Sequence, residues 1–339
     1  MSLRRAWLAA TALALAAFAA GQLASTSGGA ASRKYTIAFA PASDESHDVY
    51  HLEVGKGGRE GAKAVGARYI YDATPSVELD NAVTALIARH VDAIVTDGYD
   101  PATRPIWAKV RAAGIPLLSD GDDIDGPRTV WVSYSDPVAY GEAIADALAF
   151  QMKGKGEYAV VGQQGQFPIA DEWTRIVERY VKKTYPDMKL DGRVTGTGAG
   201  DLSEVASIEA YIRAHPHLRG LIGITPTEAQ VDAQAITGAH VIGKVFGVGN
   251  GGGYFDGQIQ AWVRSGATEF VYVADPVKLG YLGVWAANYL ASGHRFRPGA
   301  YHVGGPIGTV WYHAARQELR LGQPLTMTKA NVDAIARNG

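Results

Sequence analysis

Acidic, amide and aromatic side chains follow short apolar runs at several points of this sequence. Asp120 follows one such run, Asn250 a second and Asp275 a third. A carboxylate accepts hydrogen bonds from two adjacent hydroxyls, and an amide both donates and accepts. An aromatic face packs against the C–H groups of a sugar. These side chains therefore suit a hydroxyl-rich small molecule, provided that the fold brings them together.

The apolar runs alternate with segments of helical periodicity, in which apolar residues recur three and four positions apart. Two clear helical segments are ELDNAVTALIARH at 78–90 and the stretch 136–152. The runs that we predict to be strands cover residues 35–40, 68–71, 93–96, 116–118, 129–132, 158–162, 221–225, 245–248 and 270–274. Such alternation is typical of α/β proteins with parallel sheets covered on both faces. A second series of strands and helices opens near 136–142, so we predict two doubly wound lobes.

In open α/β sheets, ligands bind beyond the carboxyl ends of the strands. Residues at or near the ends of the predicted strands give the candidate ligand-binding set: Asp120, Asp275, Tyr50, Asn250, Asp171, Glu172, Asp122, Trp173, Phe167, Pro226 and His51. Each has a structural alternative. Asp120 and Asp275 could instead cap helices, Glu172 could be a first-turn helix charge, and Trp173 is equally well explained as core.

The first residues of the chain predict export. Arg4 and Arg5 precede the apolar stretch WLAATALALAAFAA, which is too short and too rich in alanine for a good membrane span. We expect residues 1–24 to be a signal peptide and 25–34 a flexible leader. The expected location of the mature protein is the periplasm.

Composition excludes several classes of function. With 32 basic and 34 acidic residues, the formal net charge is −2, which favours no nucleic-acid partner. The chain has no cysteine, so disulfides, thiolate metal sites and cysteine nucleophiles are excluded. We expect no metal and no cofactor.

Three motifs could point to other chemistry. The segment 247–252 satisfies G-x-G-x-x-G after a predicted strand, so a secreted NAD(P)-dependent oxidoreductase is the alternative function. An exported protein meets little nicotinamide cofactor, although Arg4-Arg5 loosely resembles a twin-arginine signal, which could export a protein already loaded with cofactor. The segment 238–245 lacks the hydroxyl residue that a P-loop needs after Lys244. His215-Pro216-His217 has no carboxylate at a ligand spacing, which disfavours a metal site.

The order of several segments resembles the periplasmic sugar-binding proteins of ABC importers. The segments are IAFAP at 37–41, VDAIVT at 91–96, AGIPLLSDGD at 113–122, and Asp275 after YVA at 272–274. The resemblance is to the type I fold, in the branch that includes autoinducer-2 and rhamnose binders. It implies two Rossmann-like lobes joined by three hinge crossings, near 135, 276 and 304–306. On this basis the N-terminal lobe comprises 35–135 and 276–304, and the C-terminal lobe 136–275 and 305–339.

The resemblance also implies a function. The protein would not be an enzyme. It would close its lobes on a small neutral sugar or polyol and deliver it, as a monomer, to a permease of the inner membrane. A ligand sensor for a receptor kinase is the alternative on the same fold.

Ligand contacts are implied for Asp120, Tyr50, the acidic pair before Trp173, Asn250 and Asp275, and we expect Asp275 to be solvated until ligand arrives. The chain has Ala42 where the autoinducer-2 binders carry a lysine, which disfavours that ligand.

Overall fold

All nine predicted strands form, and they divide between two sheets. The computed structural model describes residues 33–41, 49–72, 78–97, 101–124, 128–165, 168–252 and 257–338. Residues from Tyr35 onward make one unit, and Met1–Lys34 make another, of which only positions 33 and 34 are described. The predicted signal peptide and most of the leader therefore lie outside the described residues. Within the described ranges, no helix is long and apolar enough to cross a membrane.

The first sheet has eight strands and the second has six. In chain order the strands are β1 (Thr36–Phe39), β2 (Arg68–Tyr71), β3 (Ala93–Thr96), β4 (Leu117–Gly121), β5 (Val130–Ser133), β6 (Gly156–Gly162), β7 (Met188–Thr195), β8 (Leu218–Gly223), β9 (Phe246–Asn250), β10 (Thr268–Tyr272), β11 (Gly299–Gly304), β12 (Gly308–His313), β13 (Glu318–Arg320) and β14 (Leu325–Met327).

Helices follow most of the parallel strands. They are α1 (Val49–Val65), α2 (Leu79–Ala88), α3 (Arg104–Ala112, after a 3₁₀ turn at Pro101–Thr103), α4 (Pro137–Met152), α5 (Pro168–Thr184), α6 (Leu202–Ala214), α7 (Pro226–Gly238), α8 (Gly257–Ser265), α9 (Pro276–Ala291) and α10 (Val332–Asn338).

The two sheets repeat one strand order. The first runs β2-β1-β3-β4-β5 before it is extended by β13-β12-β11, and the second runs β7-β6-β8-β9-β10 before it is extended by β14. The pairs within both five-stranded series are parallel. This is the doubly wound order in which the chain leaves the first strand in one direction and later returns to its other side. The predicted fold class, α/β with two Rossmann-like lobes, is confirmed.

The start of α4 shows how local sequence sets a boundary between the lobes. Asp136 is in extended conformation, and its carboxylate accepts from the backbone N–H groups of Val138 at 2.9 Å and Ala139 at 3.3 Å. Pro137 occupies the first helical position, where its missing N–H costs nothing. The helix thus begins directly after β5, and the chain passes into the second sheet.

The last change of sheet differs from the expectation. β12 and β13 remain in the first sheet, where β13 pairs in parallel with β5. The chain therefore enters the second sheet after Arg320, and the implied crossing near 304–306 is wrong. Gly304 and Gly305 have φ of 77° and 54°, which suits the tight turn between β11 and β12. Glycine and proline mark hairpin turns and interlobe linkers alike, so this segment was ambiguous in the sequence.

Helices α1 and α9 pack side by side over the first sheet, with their backbones in close contact. A Cβ placed on Gly57 would lie 1.8 Å from the carbonyl oxygen of Val277. A Cβ on Gly280 would lie 2.0 Å from that of Val54. Only glycine at these two positions permits this approach, and backbone atoms cannot move aside as a flexible side chain could.

We predict that Gly280→Ala destabilises the protein by about 1–3 kcal/mol, because the added methyl group forces the two helices apart. Urea unfolding measures this change. Gly322→Ala is the matched control, since a Cβ there meets nothing within 4 Å. Equal unfolding free energies for the two variants would contradict the close packing of α1 on α9.

Candidate ligand-binding site

A polar cluster, which we call the first-lobe cluster, lies at the carboxyl ends of β3, β4 and β5. It is formed by Asp97, Asp120, Asp122 and Tyr134 of the sheet, with Tyr50 and His51 from the first turn of α1. The Tyr50 hydroxyl donates to the Tyr134 hydroxyl at 3.5 Å, and that hydroxyl donates to Asp122 Oδ2, also at 3.5 Å. The His51 ring contacts the carboxylate of Asp97. Four sequence candidates are thereby brought together: Asp120, Asp122, Tyr50 and His51.

Asp120 is the most deeply buried of these acids, at 1% exposure. Its Oδ2 lies under α9, where a Cβ on Gly283 would approach it to 2.9 Å. Neither oxygen has a hydrogen-bond partner among the residues that the structure describes. Burial raises the pKa of the Asp120 carboxyl well above its ordinary value, the charge of Asp97 raises it further, and His51 opposes the shift. A buried carboxyl without a partner is therefore held as the neutral acid, which can donate a hydrogen bond as well as accept one.

The other groups of the cluster respond to the same burial. Burial first, and the charge of Asp97 second, raise the pKa of Asp122 to about 6, although the hydrogen bond from Tyr134 opposes this. Burial also raises the pKa of the Tyr50 and Tyr134 hydroxyls well above 10.0. Both phenols therefore stay protonated at neutral pH, which leaves the site with hydroxyl donors and carboxyl acceptors.

The second lobe contributes Asn250 and Pro226 near the carboxyl ends of its strands. Asn250 ends β9, is 6% exposed, and accepts from the backbone N–H of Gly252 at 3.3 Å. Pro226 opens α7, and a Cβ on Gly252 would lie 3.1 Å from its Cβ. The geometry thus brings together two of the sequence candidates beside the loop after β9.

Trp173 lies in the interior of the second lobe. It is 5% exposed and contacts Tyr140 edge-on, with the ring centroids 4.7 Å apart. Its neighbours in the core include Ala170 and Val177. This packing favours a role for Trp173 in the core of the lobe over a role in stacking on a ligand.

The two acids before Trp173 point to different surroundings. Asp171 accepts from the backbone N–H of Gly165 at 3.2 Å and so stabilises the turn between β6 and α5. Glu172 is exposed on α5. Phe167 lies outside the described residues, and its predicted role remains a prediction.

Asp275 acts as a helix cap. Its carboxylate accepts from the backbone N–H of Lys278 at 3.0 Å, and the Lys278 ammonium lies 3.7 Å away. Its side chain is 20% exposed. The expectation of a carboxylate that is solvated before ligand arrives is wrong, because the crossing into α9 gives this group its own donors.

Sequence analysis placed Glu228 after a predicted strand but missed Gln163, which follows β6, and the buried acids Glu204 of α6 and Asp232 of α7. Gln163 Nε2 donates to Glu228 Oε1 at 2.8 Å. Glu204, Glu228 and Asp232 are 3%, 0% and 1% exposed, respectively. The available signal was the pair Glu228 and Asp232, four residues apart on the buried face of a helix that is otherwise rich in alanine.

The glycine motif at 247–252 has a packing explanation. Gly247 and Gly249 lie inside β9, whereas a dinucleotide-binding turn follows the strand. A Cβ on Gly249 would lie 2.3 Å from the carbonyl oxygen of Gly223, and one on Gly251 would lie 2.3 Å from the Tyr272 ring. These glycines permit close packing of the strand and its following turn.

The histidine motif is likewise explained by its neighbours. His215 Nδ1 lies 2.6 Å from Asp191 Oδ2, and its ring stacks on Tyr211 with the centroids 4.0 Å apart. In the part of the chain that the structure describes, no three histidine or acidic side chains are grouped as metal ligands.

We predict that Asp275→Ala lowers the unfolding free energy by about 1 kcal/mol, because the N-cap of α9 is lost. Asp275→Asn is the matched control, since asparagine is an equally good cap. Thermal denaturation of both variants measures the difference. An alanine variant as stable as the unmodified protein would show that this cap contributes nothing.

The raised pKa of Asp122 predicts a specific pH dependence. The folded protein holds this proton more tightly than the unfolded chain, whose carboxyl has an ordinary pKa of about 3.9. The contribution to stability is therefore complete below about pH 4 and is lost as the pH rises to about 6. Asp122→Asn removes this loss, so we expect its stability relative to the unmodified protein to increase over that range, by at most about 3 kcal/mol.

Urea unfolding across this pH range, with the exposed Asp187→Asn as control, measures the effect. Parallel stability curves for Asp122→Asn and the unmodified protein would contradict the assignment.

Comparisons with known proteins agree with this architecture. Residues 37–295 match the family model described as periplasmic binding protein domain. A sugar ABC transporter structure from Actinomyces odontolyticus superposes with a TM-score of 0.75 at 19% identity, covering 88% of this chain and 97% of that one. A solute-binding protein from Clostridium phytofermentas with bound L-rhamnose gives 0.72 at 19% identity, covering 91% and 99%.

LsrB from Clostridium saccharobutylicum, in complex with AI-2, gives a TM-score of 0.71 at 18% identity, covering 88% and 99%. The comparison with curated proteins gave no match. These structural likenesses establish a shared fold. The family model spans well over half of the sequence, and the chain therefore belongs to the periplasmic binding protein domain family.

Proposed function

We propose that this protein is the solute-binding component of an ABC importer and that it captures a small neutral sugar or polyol. The observation that carries the proposal is the repeated strand order. Each sheet ends, at the carboxyl side of its strands, in acid, amide or hydroxyl groups. Two such edges on two lobes suit a ligand held between them, and closure is favoured to the extent that the ligand binds the closed state better.

The chemistry of the first-lobe cluster supports an uncharged, hydroxyl-rich ligand. Neutral Asp120 and the hydroxyls of Tyr50 and Tyr134 can both donate and accept hydrogen bonds. The charge of Asp97 in the same cluster would repel an anionic ligand. Similar structures were determined with L-rhamnose, D-arabinose and tagatose, which are neutral sugars.

The proposed location and the proposed permease partner rest on the family match and on the predicted signal peptide. The predicted signal peptide supports a periplasmic location, and an inner-membrane permease would receive the ligand from a monomer. We propose that the protein makes and breaks no bond, because the polar groups described here are explained by binding.

A thermal-shift screen of pentoses, hexoses, deoxysugars and polyols tests this function. We expect one or more of them to raise the melting temperature, with a stabilisation of about 2.7 kcal/mol at one hundred times the dissociation constant. Calorimetry on Tyr50→Phe should then show roughly tenfold weaker binding of that sugar, because one hydroxyl is removed from the chain of hydrogen bonds that ends at Asp122. Tyr185→Phe is the matched control, since the Tyr185 hydroxyl bonds Asp146 on the outer surface.

If no sugar or polyol binds, the proposed function is wrong. Binding that Tyr50→Phe leaves unchanged would remove the first-lobe cluster from the site.

A further inference from the structure

Gln163 lies at the topological switch point of the second sheet. It follows β6, and Thr225 follows β8, the neighbouring strand on the side where the chain order reverses. Ligands of doubly wound sheets bind at such points. Gln163 is half-buried, and its amide packs against Gly198, where a Cβ would lie 2.5 Å from the amide atoms.

The orientation of the Gln163 amide depends on Glu228. An ionised carboxylate only accepts hydrogen bonds, so the 2.8 Å contact between Gln163 Nε2 and Glu228 Oε1 requires the NH₂ group to point inward. The carbonyl oxygen of Gln163 then remains for an external donor such as a ligand hydroxyl. A protonated Glu228 could instead donate to that oxygen, which would turn the amide over and present NH₂ outward.

Glu228 belongs to a group of three acids, the α6–α7 acid cluster, made of Glu204, Glu228 and Asp232. Glu204 has a full set of donors from the loop after β7, with N–H groups of Thr197 at 2.7 Å, Gly198 at 3.3 Å and Gly200 at 2.9 Å. Among the residues that the structure describes, both oxygens of Asp232 and Oε2 of Glu228 are buried without a hydrogen-bond partner. The cluster therefore contains one carboxylate that is fully hydrogen-bonded by the protein and two acids with unmet hydrogen-bonding capacity.

Burial and the repulsion between neighbouring carboxylates raise the pKa values of two acids in this cluster. Burial raises the pKa of Asp232 well above its ordinary value, and the charges of Glu228 and Glu204 raise it further. Burial also raises the pKa of Glu228, Glu204 adds to this, and the hydrogen bond from Gln163 opposes it. Burial and repulsion therefore favour the neutral acid at Asp232, whereas the hydrogen bond from Gln163 favours the charged form of Glu228.

The elements packed against α7 carry other ionisable groups. They are Glu204, Glu209, Tyr211 and Arg213 on α6, Arg219 on β8, Glu157 and Tyr158 on β6, and Glu269 and Tyr272 on β10, whereas β9 has none. Arg219 is exposed and its guanidinium lies over the Phe246 ring, with Nε donating to the Lys244 carbonyl. The charges that act on Asp232 are those of the two glutamates of the cluster.

We propose that Glu228 is a positioning residue. Its protonation sets whether the Gln163 amide presents its carbonyl oxygen or its NH₂ group to the ligand. At neutral pH the amide presents its carbonyl oxygen, so the second lobe selects ligands that place a hydroxyl donor there. In mild acid the amide turns over and that selection is lost. The consequence for ligand affinity rests on the proposed function, whereas the coupling of the Gln163 amide to Glu228 does not.

The ligand-free test is NMR of the Gln163 side-chain amide, assigned by the signal that disappears in Gln163→Met. We expect its NH₂ resonances to shift with a single midpoint above the ordinary pKa of a glutamate carboxyl, and to lose this titration in Glu228→Gln. Glu209→Gln is the matched control, because Glu209 lies at the far end of α7, beside Gly238. Gln163 resonances that do not titrate, or that titrate unchanged in Glu228→Gln, would overturn the proposal.

The second test measures the affinity of a sugar found in the thermal-shift screen. We expect its dissociation constant to rise from pH 7.5 to pH 5 by about fivefold more in the unmodified protein than in Glu228→Gln, whose remaining pH dependence comes from Asp122. The same pH dependence in both proteins would overturn the proposal and leave the proposed function standing. If no sugar binds, the proposed function fails, and the NMR result still decides whether Glu228 orients Gln163.

Discussion

Carboxyl groups that are buried without a counter-charge govern the chemistry of both lobes. Asp120 in the first lobe and Asp232 in the second are each 1% exposed, and within the described part of the chain neither has a hydrogen-bond partner on either oxygen. An ionised carboxylate in such a place would cost several kcal/mol, so both favour the neutral acid. Around them, Tyr50, Tyr134 and Gln163 are uncharged and polar. These uncharged groups suit ligand hydroxyls, because each can donate or accept a hydrogen bond.

The repeated strand order places these groups. In each sheet the chain order reverses beside the first strand of the series, and side chains from neighbouring strand ends converge there. Helix packing maintains that geometry. The close approach of α1 and α9 at Gly57 and Gly280 holds the first turn of α1, and thus Tyr50 and His51, against the ends of β3 and β4. A stability change at the α1–α9 contact should therefore affect the first-lobe cluster as well.

Most of the architecture could be predicted from the sequence because local patterns of apolar residues indicate the strands and helices. Buried parallel strands are continuous apolar runs, and most of them are followed by a polar turn and a segment of helical periodicity. The strands that were missed lack this signal. β7 is largely exposed, and β11 and β12 are paired antiparallel with alternating burial. Gly304 and Gly305 form the hairpin turn between β11 and β12. The sequence did not distinguish this turn from an interlobe linker, because glycine is common in both.

The sequence by itself determined the fold class, the two lobes and the first-lobe acids, since residues at strand ends must share an edge of a parallel sheet. It left open whether Asp275 caps α9, a contact with Lys278 in the next helix turn, and whether Trp173 packs on Tyr140 in the core. It missed Gln163, which meets Glu228 sixty-five positions away. Only the tertiary structure decided these, because burial and the choice of hydrogen-bond partner are properties of the packed neighbours and not of the residue types.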